Sequence, residues 1–193
     1  MNISLFHGVE KNSGGIHKVF EGGKHTTAYI IWRNMLMRCY SEKNHKRHPS
    51  YIECSVDERF HDFQDFAGWY YNHDYSNLGY ELDKDLLIPN NKIYSPDNCC
   101  FVPQELNKLL TSRGRCRGKL PQGVCFHSRV KKYNAQVWIS GKRKHLGYFD
   151  CPDEAHQVYR ETKERYVKNK ALEWANRIEW NVFVALMNWT LDK

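Results

Sequence analysis

From position 111 to position 149 the chain carries ten Lys or Arg and no Asp or Glu. These are Arg113, Arg115, Arg117, Lys119, Arg129, Lys131, Lys132, Lys142, Arg143 and Lys144. The whole chain has a net charge of +7, so everything outside this stretch is net acidic and the positive charge is concentrated. A stretch with that much self-repulsion is tolerated most easily beside a polyanion, and nucleic acid is the usual one because each neutralised phosphate releases condensed counterions. Disordered basic arms lack apolar and aromatic residues, whereas Tyr133, Val137, Trp138, Ile139, Leu146, Tyr148 and Phe149 are interleaved here.

That interleaving has period two, which predicts strands over 123–127, 133–139 and 144–149, with turns at 129–132 and at Ser140-Gly141. In the middle strand Ala135, Val137 and Ile139 fall on one face, and Asn134, Gln136 and Trp138 on the other. Asp150 or Cys151 caps a following helix, with Pro152 where its missing N–H costs nothing and Asp153 and Glu154 in the first turn. Ala155, Val158, Tyr159, Thr162 and Tyr166 line one side of that helix. Three strands backed by one helix leave one free face, joined by Arg143 and His145 from the third strand and by Cys125 and His127 from the first. A strand ribbon is thin enough for the major groove, where Arg pairs with guanine and Gln or Asn with adenine.

The N-terminal half reads differently. Residues 1–25 are punctuated by Gly and Lys and read as irregular or a loose hairpin. From Thr27 helical spacing sets in, with Ile30, Ile31, Met35, Leu36 and Cys39, and Thr26 or Thr27 as cap. The polar stretch 41–50 is expected to be a loop and 51–56 a short strand. Phe60, Phe63, Phe66, Trp69 and Tyr70 recur at three-to-four spacing and predict a helix whose aromatic stripe belongs to the core. Residues 80–87 read as a strand, Pro89-Asn90-Asn91 as a turn, 98–102 as a second strand, and Pro103 opens a helix carrying Leu106, Leu109 and Leu110. The tail from 171 to 193 is expected to be helical.

No apolar run approaches membrane-spanning length, and the first residues lack a basic flank followed by an apolar stretch, which predicts an intracellular protein with no membrane partner. Seven cysteines, at 39, 54, 99, 100, 116, 125 and 151, include no Cys-x-x-Cys pair. They read as buried thiols in a reducing compartment rather than as a disulfide framework or a zinc site.

The run from Gly123-Val124 through Tyr133-Asn134-Ala135-Gln136-Val137 and Gly141-Lys142-Arg143-Lys144-His145-Leu146-Gly147-Tyr148-Phe149-Asp150 to Glu154-Ala155 and Tyr159 resembles the plant ethylene-response-factor (Apetala-two type) DNA-binding domain. The resemblance implies DNA-facing positions at Arg129, Gln136, Trp138, Arg143 and His145, and the charge of Arg113, Arg115, Arg117, Lys131, Lys132, Lys142 and Lys144 suits phosphate contacts. Cys125, His127 and His145 stand where that family usually has Arg or Trp.

The stretch Tyr80-Glu81-Leu82-Asp83-Lys84-Asp85, then Tyr94-Ser95-Pro96-Asp97-Asn98-Cys99-Cys100-Phe101-Val102-Pro103 to Asn107, resembles phage-encoded homing-type endonucleases of the HNH (His-Asn-His) class, including those with a C-terminal Apetala-type domain. The Trp32-x-x-Met35-x-x-Arg38-Cys39-Tyr40 helix, the Phe63-x-x-Phe66-x-x-Trp69 stripe and the closing Ala185-Leu186-Met187-Asn188 extend the likeness along the chain. It implies an α+β chain. A central ββα-metal domain with flanking helices over 1–111 is joined by a basic linker, 112–121, to a three-stranded antiparallel sheet plus helix over 122–170, with a helical tail over 171–193. It further implies Asp83 and Asn107 as ligands of Mg²⁺ or another divalent cation, Asn98 as the central asparagine, cleavage or nicking of double-stranded DNA, and residence in the phage-infected bacterial cytoplasm. The class carries its histidine base where this chain has Lys84. A lysine of ordinary basicity is protonated and takes no proton, so Lys84 would clamp phosphate, with Asp85, His73 or a metal-bound hydroxide as base. A chain that has lost cutting would instead be a DNA-binding regulator on the same scaffold.

Overall fold

The structure is a computed structural model and describes residues 8–73, 78–110 and 120–191. It is a mixed α+β chain that divides into two compact units, one of Met1–Gln104 with Arg177–Val182 and the other of Glu105–Asn176 with Phe183–Lys193. Arg113, Arg115, Arg117 and Lys119, and almost all of the expected linker, lie outside the described residues.

In chain order the first unit starts with a hairpin, β1 (Phe20–Glu21) and β2 (Lys24–His25), as the Gly-rich N-terminal segment suggests. Helix α1 (Thr27–Tyr40) follows, with Thr26 Oγ1 accepting from the Tyr29 N–H. It buries Ala28, Trp32, Met35, Leu36 and Cys39, and the Trp32 indole donates to the Phe60 carbonyl at 2.7 Å. The stretch expected to be a polar loop is instead helix α2 (Glu42–Arg47), which buries nothing. Its ends explain it. Ser41 accepts from the Asn44 N–H, Glu42 sits at the start, and His45, Lys46 and Arg47 sit at the end, all matched to the helix dipole. The strand expected over 51–56 shrinks to β3 (Ser55–Val56).

Helix α3 (Phe63–Tyr71), capped by Asp62, buries Phe63, Phe66, Ala67 and Tyr70. Phe66 lies 5.0 Å from Phe60 and 5.7 Å from Trp69, while Trp69 and Tyr70 reach Phe101, at 5.3 and 5.4 Å. The aromatic stripe is therefore core. Strand β4 (Glu81–Asp83) pairs antiparallel with β6 (Cys100–Val102), and β5 (Ile93–Tyr94) pairs parallel with β3. Strand β4 ends well before 87 because Asp83 Oδ1 accepts the N–H groups of Asp85 and Leu86, at 3.0 and 2.8 Å. A side chain that captures its neighbours' amides takes them out of the ladder and turns the chain.

Helix α4 (Gln104–Leu110) falls almost wholly in the second unit, so the unit boundary precedes the position expected from sequence. That unit is built on an antiparallel sheet of order β7 (Val124–His127), β8 (Lys132–Ile139) and β9 (Lys142–Phe149). Helix α5 (Pro152–Trp174) covers one side, with Cys151 as its cap residue and Pro152 at its first turn. Ala135 and Val137 of β8 and Ala155 and Tyr159 of α5 are all buried. Helix α6 (Trp180–Met187) follows, so the expected helical tail is α-helical at the end of α5 and over α6, and residues 188–191 are not. Among the described residues no helix is long and apolar enough to cross a membrane.

Candidate nucleic-acid interface and the Asp83 loop

Two turns decide what the sheet displays. Ser140 and Gly141 both adopt positive φ, 50° and 74°, so the β8–β9 turn is tight and its register is fixed. Gln136 then stands opposite His145 and Trp138 opposite Arg143, while Asn134 lies between Cys125 and Tyr148. All of these project away from the buried Ala135 and Val137, as the alternation predicts. Pairing jumps from Ala135–Gly147 to Gln136–His145, so Leu146 is an extra residue in β9. Such a bulge sharpens the local twist.

The outward side chains are organised among themselves. Gln136 Nε2 donates to Cys125 Sγ at 3.5 Å, and the Arg143 guanidinium donates to Gln136 Oε1 at 3.4 Å. That guanidinium also lies 5.8 Å over the ring of Trp138, which is 61% exposed. His145 Nδ1 stands 2.7 Å from Asn134 Oδ1, and Tyr148 lies between the rings of His145 and His127, at 4.6 and 5.4 Å. Lys142 and Lys144 pair with Ile139 and Val137, so they stand in the helix-side row and reach solvent at the rim. Lys132 pairs with Asp150 at 3.1 Å. Among the described residues no ion pair engages Arg129, Lys131, Lys142, Arg143 or Lys144.

The second candidate site is the loop after β4. Here the structure gives Lys84 an internal role. Its side chain is 7% exposed, and its Nζ donates to Asp85 Oδ2 at 2.9 Å and to the Asn91 carbonyl at 2.7 Å. Burial lowers its basicity, but the Asp85 bond and charge outweigh this and leave it above the ordinary lysine value. Lys84 is thus protonated and serves no general-base role. Asn91 organises the loop, which sequence reading missed. Its Nδ2 donates to the carbonyls of Lys84 and Ile93, at 2.6 and 2.7 Å, and its Oδ1 accepts from the Ile93 N–H and from Asn98 Nδ2. Asn98 braces the loop through that contact, and the available signal was the Asn-Asn pair after Pro89, with Asn90 at φ 63°. Arg38, noted only as part of a motif, donates to the Tyr94 hydroxyl at 3.5 Å and lies over Tyr51.

Burial and the neighbouring charge of Asp85 push the Asp83 carboxyl up to about 6, against the pull of its two amide donors. A divalent cation would offset that repulsion. Magnesium held by one or two carboxylates, with water and phosphate completing its shell, fits such a donor set, whereas a four-ligand zinc site does not. Among the described residues no group of three or more His, Cys, Asp or Glu is gathered to hold a metal. Asn107 stands on α4, in the second unit. Cys39, Cys54, Cys99 and Cys100 are buried free thiols, and burial pushes Cys39 and Cys99 up to about 12, which makes them structural.

The Asp83 shift has a sign that can be measured. Between about pH 4 and 6 the folded chain keeps a proton that the unfolded chain releases, so stability falls as pH rises through that window. Asp83→Asn keeps an oxygen for both amide donors and removes the charge. Its unfolding midpoint should exceed that of the wild type at about pH 8, by roughly 2 kcal/mol in stability, and converge with it near about pH 4. A variant less stable than wild type at the higher pH would contradict this assignment.

No protein-family model, no curated protein and no solved structure matches this chain.

Proposed function

We propose that this chain binds double-stranded DNA through the outward face of β7, β8 and β9, and that it nicks or cuts the duplex with a divalent cation at Asp83. One observation carries the binding half. A sheet face free of Asp and Glu presents Asn134, Gln136, Arg143 and His145 in one register, ringed by cations of which only Lys132, on Asp150, has a carboxylate partner among the described residues. Rim cations suit phosphates, which fix orientation, while amide and guanidinium groups at the centre suit base edges. The cutting half rests on Asp83, a carboxyl held where its ionisation is disfavoured and a cation would relieve it. A divalent ion there would bind the scissile phosphate and steady the leaving oxygen.

Lys84 favours a second reading, a DNA-binding regulator that does not cut. Its ammonium occupies the place of the class's histidine base and is spent on Asp85 and the Asn91 carbonyl. One experiment separates the two. The protein is incubated with genomic DNA and Mg²⁺, and bound and broken positions are mapped for the wild type, Asp83→Ala and Asn107→Ala. The nuclease reading expects breaks at bound sites that both variants lose while occupancy persists. Occupancy without breaks, in Mg²⁺ and in Mn²⁺ alike, establishes the regulator.

A further inference from the structure

We infer that the Arg38 guanidinium is a phosphate receptor through which the first unit grips the backbone of the duplex, in addition to the contacts of the sheet. The inference rests on the DNA-binding reading above and adds a contact which that reading does not contain. Arg38 lies in the last turn of α1, and His45 Nε2 donates to its carbonyl at 3.0 Å. Its guanidinium is held on two sides. Nη1 donates to the Tyr94 hydroxyl at a long 3.5 Å, and the group lies 5.8 Å over the ring of Tyr51. Neither contact supplies a carboxylate.

Among the described residues no carboxylate stands within ion-pair reach of Arg38. Glu81 acts on it only from farther off and accepts from Gln104 Nε2 at 3.0 Å. Lys84, the other cation against Tyr94 at 5.9 Å from its ring, is neutralised by Asp85. A cation drawn partly out of water without a counter-charge destabilises the fold, and a bound anion offsets that loss. The edge left open has the shape for one. With Nη1 on Tyr94, Nε and Nη2 make no bond to the protein, and neither is sealed from the surface. Their N–H groups run parallel, the fork that takes two oxygens of one phosphate. Tyr51 and Tyr94 fix its plane beforehand, so little side-chain freedom is lost on binding. Lys43 and Lys46 of α2 are exposed and without ion-pair partners among the described residues, and Glu42 is the one carboxylate between positions 38 and 51. A duplex gives these neighbours phosphates as well, which a lone anion does not.

The test follows the Arg38 side chain itself, in the isotopically labelled full-length protein without divalent cations. Its Nε–H resonance, assigned by its absence in Arg38→Gln, is recorded as duplex DNA is added and, separately, as inorganic phosphate is added. Duplex should shift it, and inorganic phosphate at the same phosphate concentration should shift it less. Arg38→Gln should bind duplex about tenfold more weakly on every sequence, with a slope of log affinity against log salt shallower by about 0.9. Arg38→Lys should keep the slope and lose only part of the affinity, because the charge stays and the fork goes. A resonance that duplex leaves unmoved, or that only inorganic phosphate moves, would overturn the inference while wild-type binding upholds the DNA-binding reading. An unchanged slope in Arg38→Gln would do the same. A wild type that retains no duplex at all would remove the DNA-binding reading, and this inference with it.

Discussion

Binding to duplex DNA is expected to weaken by about a thousandfold between roughly 50 and 200 mM salt. The magnitude follows from the number of cations the sheet offers. Arg129, Lys131, Lys132, Lys142, Arg143 and Lys144 all lie on the sheet or its turns, and only Lys132 has a carboxylate partner among them in the described residues. Each phosphate neutralised contributes about −0.9 to the slope of log affinity against log salt, so full engagement gives a slope near −5. Replacing Arg129 and Lys131 by Ala should make that slope shallower by about two and weaken binding alike on every sequence, because both stand exposed on the β7–β8 turn, outside the ladder. Arg143→Ala and Gln136→Ala should instead relax the preference at one base position each, by roughly 1–3 kcal/mol. A slope near zero would contradict the electrostatic account.

The largest stability effect is expected at Gly123. Its φ is +79°, and a Cβ built there would run into the ring of Tyr159. Neither side yields easily. The Gly123 carbonyl accepts from the Gln136 N–H at 2.9 Å, which ties this residue to β8. Tyr159 is 6% exposed on α5, with its hydroxyl held by Gln122 at 2.9 Å. Gly123→Ala therefore combines a left-handed backbone cost of about 1–2 kcal/mol with overpacking of about 1–3 kcal/mol. Gly141→Ala is the matched control, since its φ is +74° but nothing lies within 4 Å of the added Cβ. Denaturant unfolding of the second unit should show Gly123→Ala destabilised by about 3 kcal/mol or more and Gly141→Ala by about half of that or less. Equal losses would mean that the contact with Tyr159 does not hold the sheet to the helix.

These two predictions come from the part of the chain whose structure was most legible in advance. In β7, β8 and β9 the period-two pattern, the Ser140-Gly141 turn and the buried pair Ala135 and Val137 all specify one register, and a register leaves no choice about which side chains share a face. The aromatic stripe of α3 was legible for a similar reason, because large side chains at helical spacing have to be covered.

Where the pattern was wrong, local polar chemistry had overridden it. Helix α2 has no apolar face to announce it, and only its cap and end charges carry the signal. Strand β4 stops at Asp83 because one carboxylate oxygen captures two amides, an event that propensity and periodicity do not register. The role of Asn91, which ties Lys84 to Ile93 across the loop, depends on contacts between residues that no spacing rule links. The contacts of Lys84 with Asp85 and the Asn91 carbonyl likewise join residues that no spacing rule links. Helix α4 follows β6 directly in sequence yet falls almost wholly with the second unit, a division that spacing along the chain does not register.

The central claim is that the outward side of β7, β8 and β9 meets the duplex. Backbone amide chemical shifts of the isotopically labelled protein, followed as duplex DNA is added, test it most directly. The account predicts the largest changes along 124–149, concentrated at Asn134, Gln136, Trp138, Arg143 and His145, with the solvent-exposed side of α5 unmoved. Changes centred on α5, with the sheet silent, would contradict it.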